Sequence, residues 1–214
     1  MYGLYVITER WQGRSHADVA RAALAGGAKT IQLRDKGMAV RELFATAREL
    51  REMCEQAGAL FIVNDRLDVA LAAQAHGVHL GDEDLPVADA RRALAGWERR
   101  RFIIGASAAT VKEAQQAVAD GADYLGVGAM FATDTKPDAG APVGPQRLAE
   151  IRREVSLPLV AIGGITIDNA ADVVRAGADA VAVISAVSRA EDMEAAVRHL
   201  ADAIERAKRA RGSR

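Results

Sequence analysis

Eight times along the chain, a short apolar or β-branched run gives way to a longer segment with helical periodicity. The strand-like runs are GLYVIT (3–8), TIQLR (30–34), LFIVND (60–65), GVHLG (77–81), FIIGAS (102–107), YLGVGAM (124–130), LVAIGG (159–164) and AVAVIS (180–185). Helical spacing marks 15–25, 39–57, 66–75, 110–119, 145–154 and 168–176. Strand ends taken at Thr8, Arg34, Asn64, Gly81, Ser107, Met130, Gly163 and Ser185 fall 17 to 33 residues apart, room for one strand and one helix. Ser15 opens the first helix and Asp168 the seventh, and Gly-Ala pairs at 27–28, 121–122 and 177–178 close helices just before strands. Such alternation implies parallel strands. The expected fold class is α/β, a single compact (β/α)8 TIM barrel with its active site at the C-terminal ends of the strands, and an open doubly wound sheet is the alternative.

Composition narrows the function classes. The chain has 214 residues, 50% of them hydrophobic and 27% charged, with a formal net charge of -1. That balance excludes disorder and any recruitment of nucleic acid by bulk charge. Cys54, the single cysteine, cannot form an intrachain disulfide or by itself a thiolate metal site. The start, MYGLYVITER, has no basic segment before its apolar run, and no stretch approaches the roughly 18 apolar residues of a membrane span, so a cytoplasmic protein is expected. No low-complexity linker divides the chain. Residues 1–204 are expected to form the barrel, and 205–214, with Arg206, Lys208, Arg209, Arg211 and Arg214, a frayed basic tail.

Candidate chemistry collects at the strand ends. Alternation on the second strand separates Ile31 and Leu33 from Gln32 and Arg34, and places the latter pair inward at the mouth. A buried arginine needs a carboxylate or an anionic ligand, and Lys36 just beyond favours the ligand over a structural salt bridge. The third strand ends in Asn64-Asp65 and the fourth leads into Gly81-Asp82-Glu83-Asp84. Asp65 and Asp84 could cap the helices that follow them, or hold Mg2+ with hard oxygen ligands; the cations nearby favour a diphosphate with its magnesium. Ser107 ends the fifth strand, and Thr133-Asp134-Thr135-Lys136 with PDAGAPVG (137–144) follows the sixth. Gly163-Gly164 after strand seven and Ile184-Ser185 at strand eight match the usual phosphate position of barrels, which is favoured over the alternative that the glycines serve only the turn. His76 and His79 project to opposite faces and predict no shared metal. His16 and His199 are expected at the surface and Cys54 in the packing, while Glu9, Trp11 and Arg14 belong to a first loop with no assigned purpose.

The segments IQLRDK, VNDR, GVHLGDED, IIGAS, GADYLGVGAMFATDTKPDAGAPVG, AIGGI and AVISA, in this order, resemble the thiamine-phosphate synthase family, from about Tyr2 to about Arg189. The resemblance implies a transferase of thiamine biosynthesis. It would join 4-amino-2-methyl-5-hydroxymethylpyrimidine diphosphate to 4-methyl-5-(2-hydroxyethyl)thiazole phosphate, giving thiamine phosphate and diphosphate. It puts Gln32, Arg34, Lys36 and Asn64 on the pyrimidine diphosphate, Ser107 and Lys136 at pyrimidine-substrate positions, and one Mg2+ on Asp65 and Asp84. Thr133 and Thr135 match the thiazole-phosphate loop, and Gly164, Ile184 and Ser185 the phosphate cradle. Arg34, Lys36, Lys136 and Ser107 would be the catalytic groups; the implied partners are the two small-molecule substrates, with no nucleic acid and no membrane. Two departures stand out. Gly81-Asp82-Glu83-Asp84 replaces the family's Gly-Gln-x-Asp, and Ser107-Ala108-Ala109 its Ser-Thr-His. A thiazole tautomerase-like relative and a non-catalytic precursor-binding barrel are the alternatives.

Overall fold

The computed structural model describes residues 3–96, 102–135 and 141–212. Eight strands, β1 (Gly3–Thr8), β2 (Thr30–Leu33), β3 (Leu60–Asn64), β4 (Gly77–Leu80), β5 (Ile103–Ser107), β6 (Tyr124–Val127), β7 (Leu159–Ile162) and β8 (Ala180–Val183), pair in parallel in sequence order. β1 also pairs with β8, Gly3 beside Ala180, so the sheet closes into a barrel and the open-sheet alternative is excluded. Between the strands run α1 (His16–Ala25), α2 (Val40–Gln56), α3 (Leu67–Ala72), α4 (Val87–Ala93), α5 (Val111–Ala119), α6 (Gly144–Glu154) and α7 (Ala170–Arg175), followed after β8 by α8 (Ser185–Ser188) and α9 (Met193–Gly212).

The period of two along each strand separates two cores. Tyr5, Ile7, Ile62, Tyr124, Val160, Ala180, Ala182 and Ile184 pack inside the barrel. Leu4, Val6, Ile31, Leu33, Phe61, Val63, Leu125 and Val127 face outward, against helix residues such as Val19, Leu50 and Leu148. Helix starts follow side-chain chemistry: Ser15 and Thr110 each accept from the backbone N–H three residues on, and Asp18 and Glu113 reach back to complete capping boxes.

Several local expectations differ from the structure. The apolar run at β6 suggests a strand to Met130, but pairing stops at Val127, because Met130 N–H crosses to the Ile162 carbonyl (2.8 Å) and Phe131 N–H to that of Gly163 (3.0 Å). The stretch expected as a frayed tail from 205 is helical to Gly212. Val197, Leu200, Ile204 and Ala207 form a buried stripe along α9 that the basic residues obscure in the sequence, and Arg211 donates to the carbonyls of Val174 (2.8 Å) and Ala178 (2.9 Å). His16, expected at the surface, is 2% exposed. It bonds to Thr8 Oγ1 through Nδ1 (2.7 Å) and to Asp35 through Nε2 (3.2 Å). Among the described residues, no helix is long and apolar enough to cross a membrane.

Candidate active site

A cavity of about 550 Å³ opens at the C-terminal mouth of the barrel. Its wall includes Arg34, Lys36, Asn64, Asp65, Asp84, Ser107, Thr133, Thr135, Gly164, Ile184 and Ser185, so residues from the ends of seven strand-to-helix connections meet on one space. Gln32 lies deeper, on a small cavity of about 30 Å³ that shares His79, Ser107, Gly126, Ile162 and Ala182 with the large one. Lys136 lies outside the described residues.

The arc from β2 to β4 is the charged side. Along Arg34-Asp35-Lys36, the outer two side chains line the cavity while Asp35 turns to His16 Nε2 (3.2 Å), Arg10 (2.9 Å) and the Gly37 N–H (3.0 Å). Burial pushes the Asp35 carboxyl up, but its bonds to His16 and Gly37 and the charge of Arg10 outweigh that and hold it below the usual value. His16 is held below the ordinary histidine value by burial, against the pull of Asp35. This contact outside the cavity commits the intervening carboxylate and leaves the two cations facing inward.

Asp65 takes a left-handed backbone (φ 63°), a conformation that costs a non-glycine residue about 1–3 kcal/mol and that aspartate tolerates better than most. Its N–H donates to the His79 carbonyl on β4 (2.8 Å), and Asn64 Nδ2 donates to its Oδ1 (2.5 Å). Asp84 folds back to accept from the Gly81 N–H (2.7 Å). Neither carboxylate caps a helix: the N-cap positions of α3 and α4 are Arg66 and Pro86, without side-chain cap bonds. Burial, then the hydrogen bond and charge of Asp84, push the Asp65 carboxyl up to about 6, against the pull of Lys36 and Arg34. Asp65, its carboxyl held up in part by the neighbouring Asp84, makes with it a donor set suited to a divalent cation, which would relieve the repulsion on Asp65. Among the described residues no group of three His, Cys, Asp or Glu side chains is arranged to hold a metal. A two-carboxylate site fits Mg2+, which keeps waters and shares substrate phosphate oxygens, better than a metal that needs a full protein cage.

On the opposite arc, β6 to β8, the described residues that line the cavity are uncharged. Gly164 has φ 64°, and a Cβ there would lie 2.5 Å from the Ala132 carbonyl oxygen, so the turn after β7 and the loop after β6 approach to a distance only glycine permits. That turn role and a place on the cavity wall coexist. Thr135 Oγ1 donates to Ser185 Oγ (3.0 Å), joining the β6 loop to the start of α8. Beyond the rim, the first loop acquires a purpose: Glu9 accepts from Ser188 Oγ (2.5 Å) and Arg189 Nε (3.2 Å), Arg189 lies 4.1 Å from the centre of the Trp11 ring, and Arg14 donates to the carbonyls of Ser188 (2.8 Å) and Ala190 (2.5 Å). These contacts hold the end of α8 against the loop that follows β1.

Sequence reasoning passed over His79, Tyr5 and Tyr124. His79 lines the cavity, with Nδ1 3.0 Å from Tyr124 Oη and Nε2 3.2 Å from Ser107 Oγ, whereas His76 Nδ1 accepts from the Phe61 N–H (2.9 Å). The signal was present in the period of two on β4, where Val78 and Leu80 point outward and His79 therefore inward.

Comparison with known proteins agrees with this architecture. The family model described as thiamine monophosphate synthase matches residues 4–187. The chain is 56% identical over 209 residues to the thiamine-phosphate synthase of Methanoculleus marisnigri, covering 97% of each chain. It is 53% identical over 209 residues to that of Moorella thermoacetica, covering 97% of this chain and 98% of the relative. The solved thiamine phosphate pyrophosphorylase from Pyrococcus furiosus superposes with a TM-score of 0.87 at 42% identity over 96% of both chains. With a family match across nearly the whole barrel, the chain belongs to the thiamine monophosphate synthase family of transferases.

Proposed function

We propose that the chain condenses 4-amino-2-methyl-5-hydroxymethylpyrimidine diphosphate with 4-methyl-5-(2-hydroxyethyl)thiazole phosphate, forming thiamine phosphate and diphosphate as a step of thiamine biosynthesis. The observation that carries this reading is that one cavity is lined by Arg34 and Lys36 beside the Asp65–Asp84 pair on one side and by Gly164, Ile184 and Ser185 on the other, which we read as two anion sites. Two phosphorylated substrates need two such sites facing a common space.

The bond between the pyrimidine methylene carbon and the diphosphate oxygen breaks, and its electron pair leaves with diphosphate. The electron-rich aminopyrimidine carries the resulting positive charge until the thiazole nitrogen lone pair closes the new carbon–nitrogen bond. No nucleophilic side chain is required. Arg34 and Lys36 stabilise charge growing on the leaving oxygens, and we assign Lys136 the same task. Ser107 orients the pyrimidine on the cavity floor with Gln32 and Asn64. Thr133, Thr135 and Ser185, with the backbone at Gly164 and Ile184, hold the thiazole phosphate. Mg2+ held by Asp65 and Asp84 would supply further charge neutralisation on the diphosphate.

The direct test is diphosphate release and thiamine phosphate formation by the purified chain supplied with both substrates, with and without Mg2+. Equal, Mg2+-dependent appearance of both products is expected. Diphosphate release without thiamine phosphate, or neither product, overturns the reading.

A further inference from the structure

Gln32 is 2% exposed, and its Oε1 is the one buried side-chain polar atom among the described residues without a hydrogen-bond partner. Its Nε2 donates to the Tyr5 hydroxyl at 2.7 Å. From there a chain of polar atoms crosses the barrel floor: Tyr5 Oη to Tyr124 Oη (3.1 Å), Tyr124 Oη to His79 Nδ1 (3.0 Å), and His79 Nε2 to Ser107 Oγ (3.2 Å). All five side chains line the same small cavity beneath the active-site space.

With the Gln32 amide placed so that Nε2 faces Tyr5, the hydrogens in this chain have one direction that pairs them all; with the amide turned over the direction reverses and His79 carries its hydrogen on Nδ1. Burial pushes both phenols above the ordinary tyrosine value, so each keeps its single hydrogen. Tyr5 already accepts from Gln32. If Tyr124 also donated to it, the Tyr5 hydrogen would be buried with no acceptor, a costly state. Tyr5 therefore donates to Tyr124, and Tyr124 to His79 Nδ1. The imidazole then carries its hydrogen on Nε2 and gives it to Ser107 Oγ, whose own hydroxyl hydrogen is left for the cavity. The chain thus ends in an acceptor at Gln32 and a donor at Ser107.

We propose that Tyr5, Tyr124 and His79 are positioning residues that set this polarity, and that it selects a 4-aminopyrimidine over its 4-oxo counterpart. The aminopyrimidine offers an N–H at the exocyclic amino group and a lone pair on the adjacent ring nitrogen. The oxo form offers the reverse, a carbonyl oxygen and a ring N–H. The inference rests on the reading that this cavity takes the pyrimidine substrate; what it adds is the source of discrimination, in groups behind the contact residues.

Two measurements on the full chain test it. Long-range proton–nitrogen correlation spectra of the histidine-labelled protein report the His79 tautomer without any substrate. A hydrogen on Nε2 is expected, and one on Nδ1 overturns the proposal. Calorimetric binding then compares 4-amino-2-methyl-5-hydroxymethylpyrimidine with its 4-oxo analogue. The unaltered protein should prefer the amine by about tenfold or more, and Tyr5→Phe, which frees the Gln32 amide to turn over, should cut that preference to about threefold or less. An equal or reversed preference in the unaltered protein, or an unchanged one in a folded Tyr5→Phe variant, overturns the proposal. If that variant does not fold, the tautomer decides alone. Failure of the condensation with the amine preference intact contradicts the proposed reaction and leaves the polarity standing.

Discussion

Gly105 on β5 lies beneath the ring of Tyr124 on β6, so close that a Cβ at position 105 would sit 2.1 Å from Tyr124 Cζ. The missing side chain is what lets a tyrosine fill the barrel and present its hydroxyl to Tyr5 and His79. Gly105→Ala should destabilise the fold by about 1–3 kcal/mol, because the Tyr124 ring is fully buried and has little space to yield. Urea unfolding checks this, and an unchanged midpoint would show that the ring moves freely.

Asp65 makes the metal-free protein depend on pH in a defined sense. Its carboxyl is raised from 3.8 to about 6 in the folded state, so the folded form holds its proton more tightly than the unfolded chain does. The associated stability is complete below the unfolded value and is lost as pH rises through about 6. The loss is at most about 3 kcal/mol, and less because the mouth admits solvent. With chelator present, Asp65→Asn should therefore gain stability relative to the parent between about pH 4.5 and about pH 7.5. A pH-independent difference between the two would contradict the carboxylate coupling.

Adding Mg2+ should reverse that order at neutral pH, since the ion binds the ionised pair and only the parent has it. Thermal shifts with Mg2+ are expected to grow as pH rises past about 6, where Asp65 gives up its proton. Asp65→Asn should show little shift and lose about 100-fold or more in turnover. Equal Mg2+ shifts in both proteins would remove the metal from this site.

His16 acts on the site from outside it, by holding Asp35 away from Arg34 and Lys36. His16→Ala should cost about 1–3 kcal/mol of stability through unpaired buried groups and raise the KM for the diphosphate substrate several-fold while leaving that for the thiazole phosphate unchanged. Because the buried ring is held below 6.5, the parent loses stability as pH falls through that value, and the variant should lack this part of the acid dependence. Equal rises in both KM values would point to general loosening instead.

Cys54 is buried on α2 and its thiol is pushed up to about 12 by burial. In native buffer it should resist alkylation, with labelling appearing only as denaturant unfolds the chain. Rapid labelling of the native protein would show that α2 opens locally.

The eight-fold alternation of short apolar runs and helical segments is local information, and it was enough to place all eight strands and a closed parallel barrel. Strand alternation likewise turned Arg34 inward at the mouth, since a side chain's face follows from the period of the chain it belongs to, and Asn64 and Ser107 were placed there by ending their strands. The helical end after residue 204 was hidden because basic residues dominate its composition, and only docking onto the barrel shows which face of α9 is buried. His16 reads as a surface residue on an amphipathic helix until Thr8 and Asp35, from two other segments, close over it. Whether Asp65 and Asp84 cap helices or face each other could not be read from spacing, because each is adjacent to a helix start and the choice depends on backbone torsion and a neighbouring strand. The polar chain from Gln32 to Ser107 draws its members from β1, β2, β4, β5 and β6. Hydrophobic periodicity specifies faces within a segment, whereas the partners and polarity of a buried hydrogen bond exist only once the barrel has closed and brought distant strands within about 3 Å.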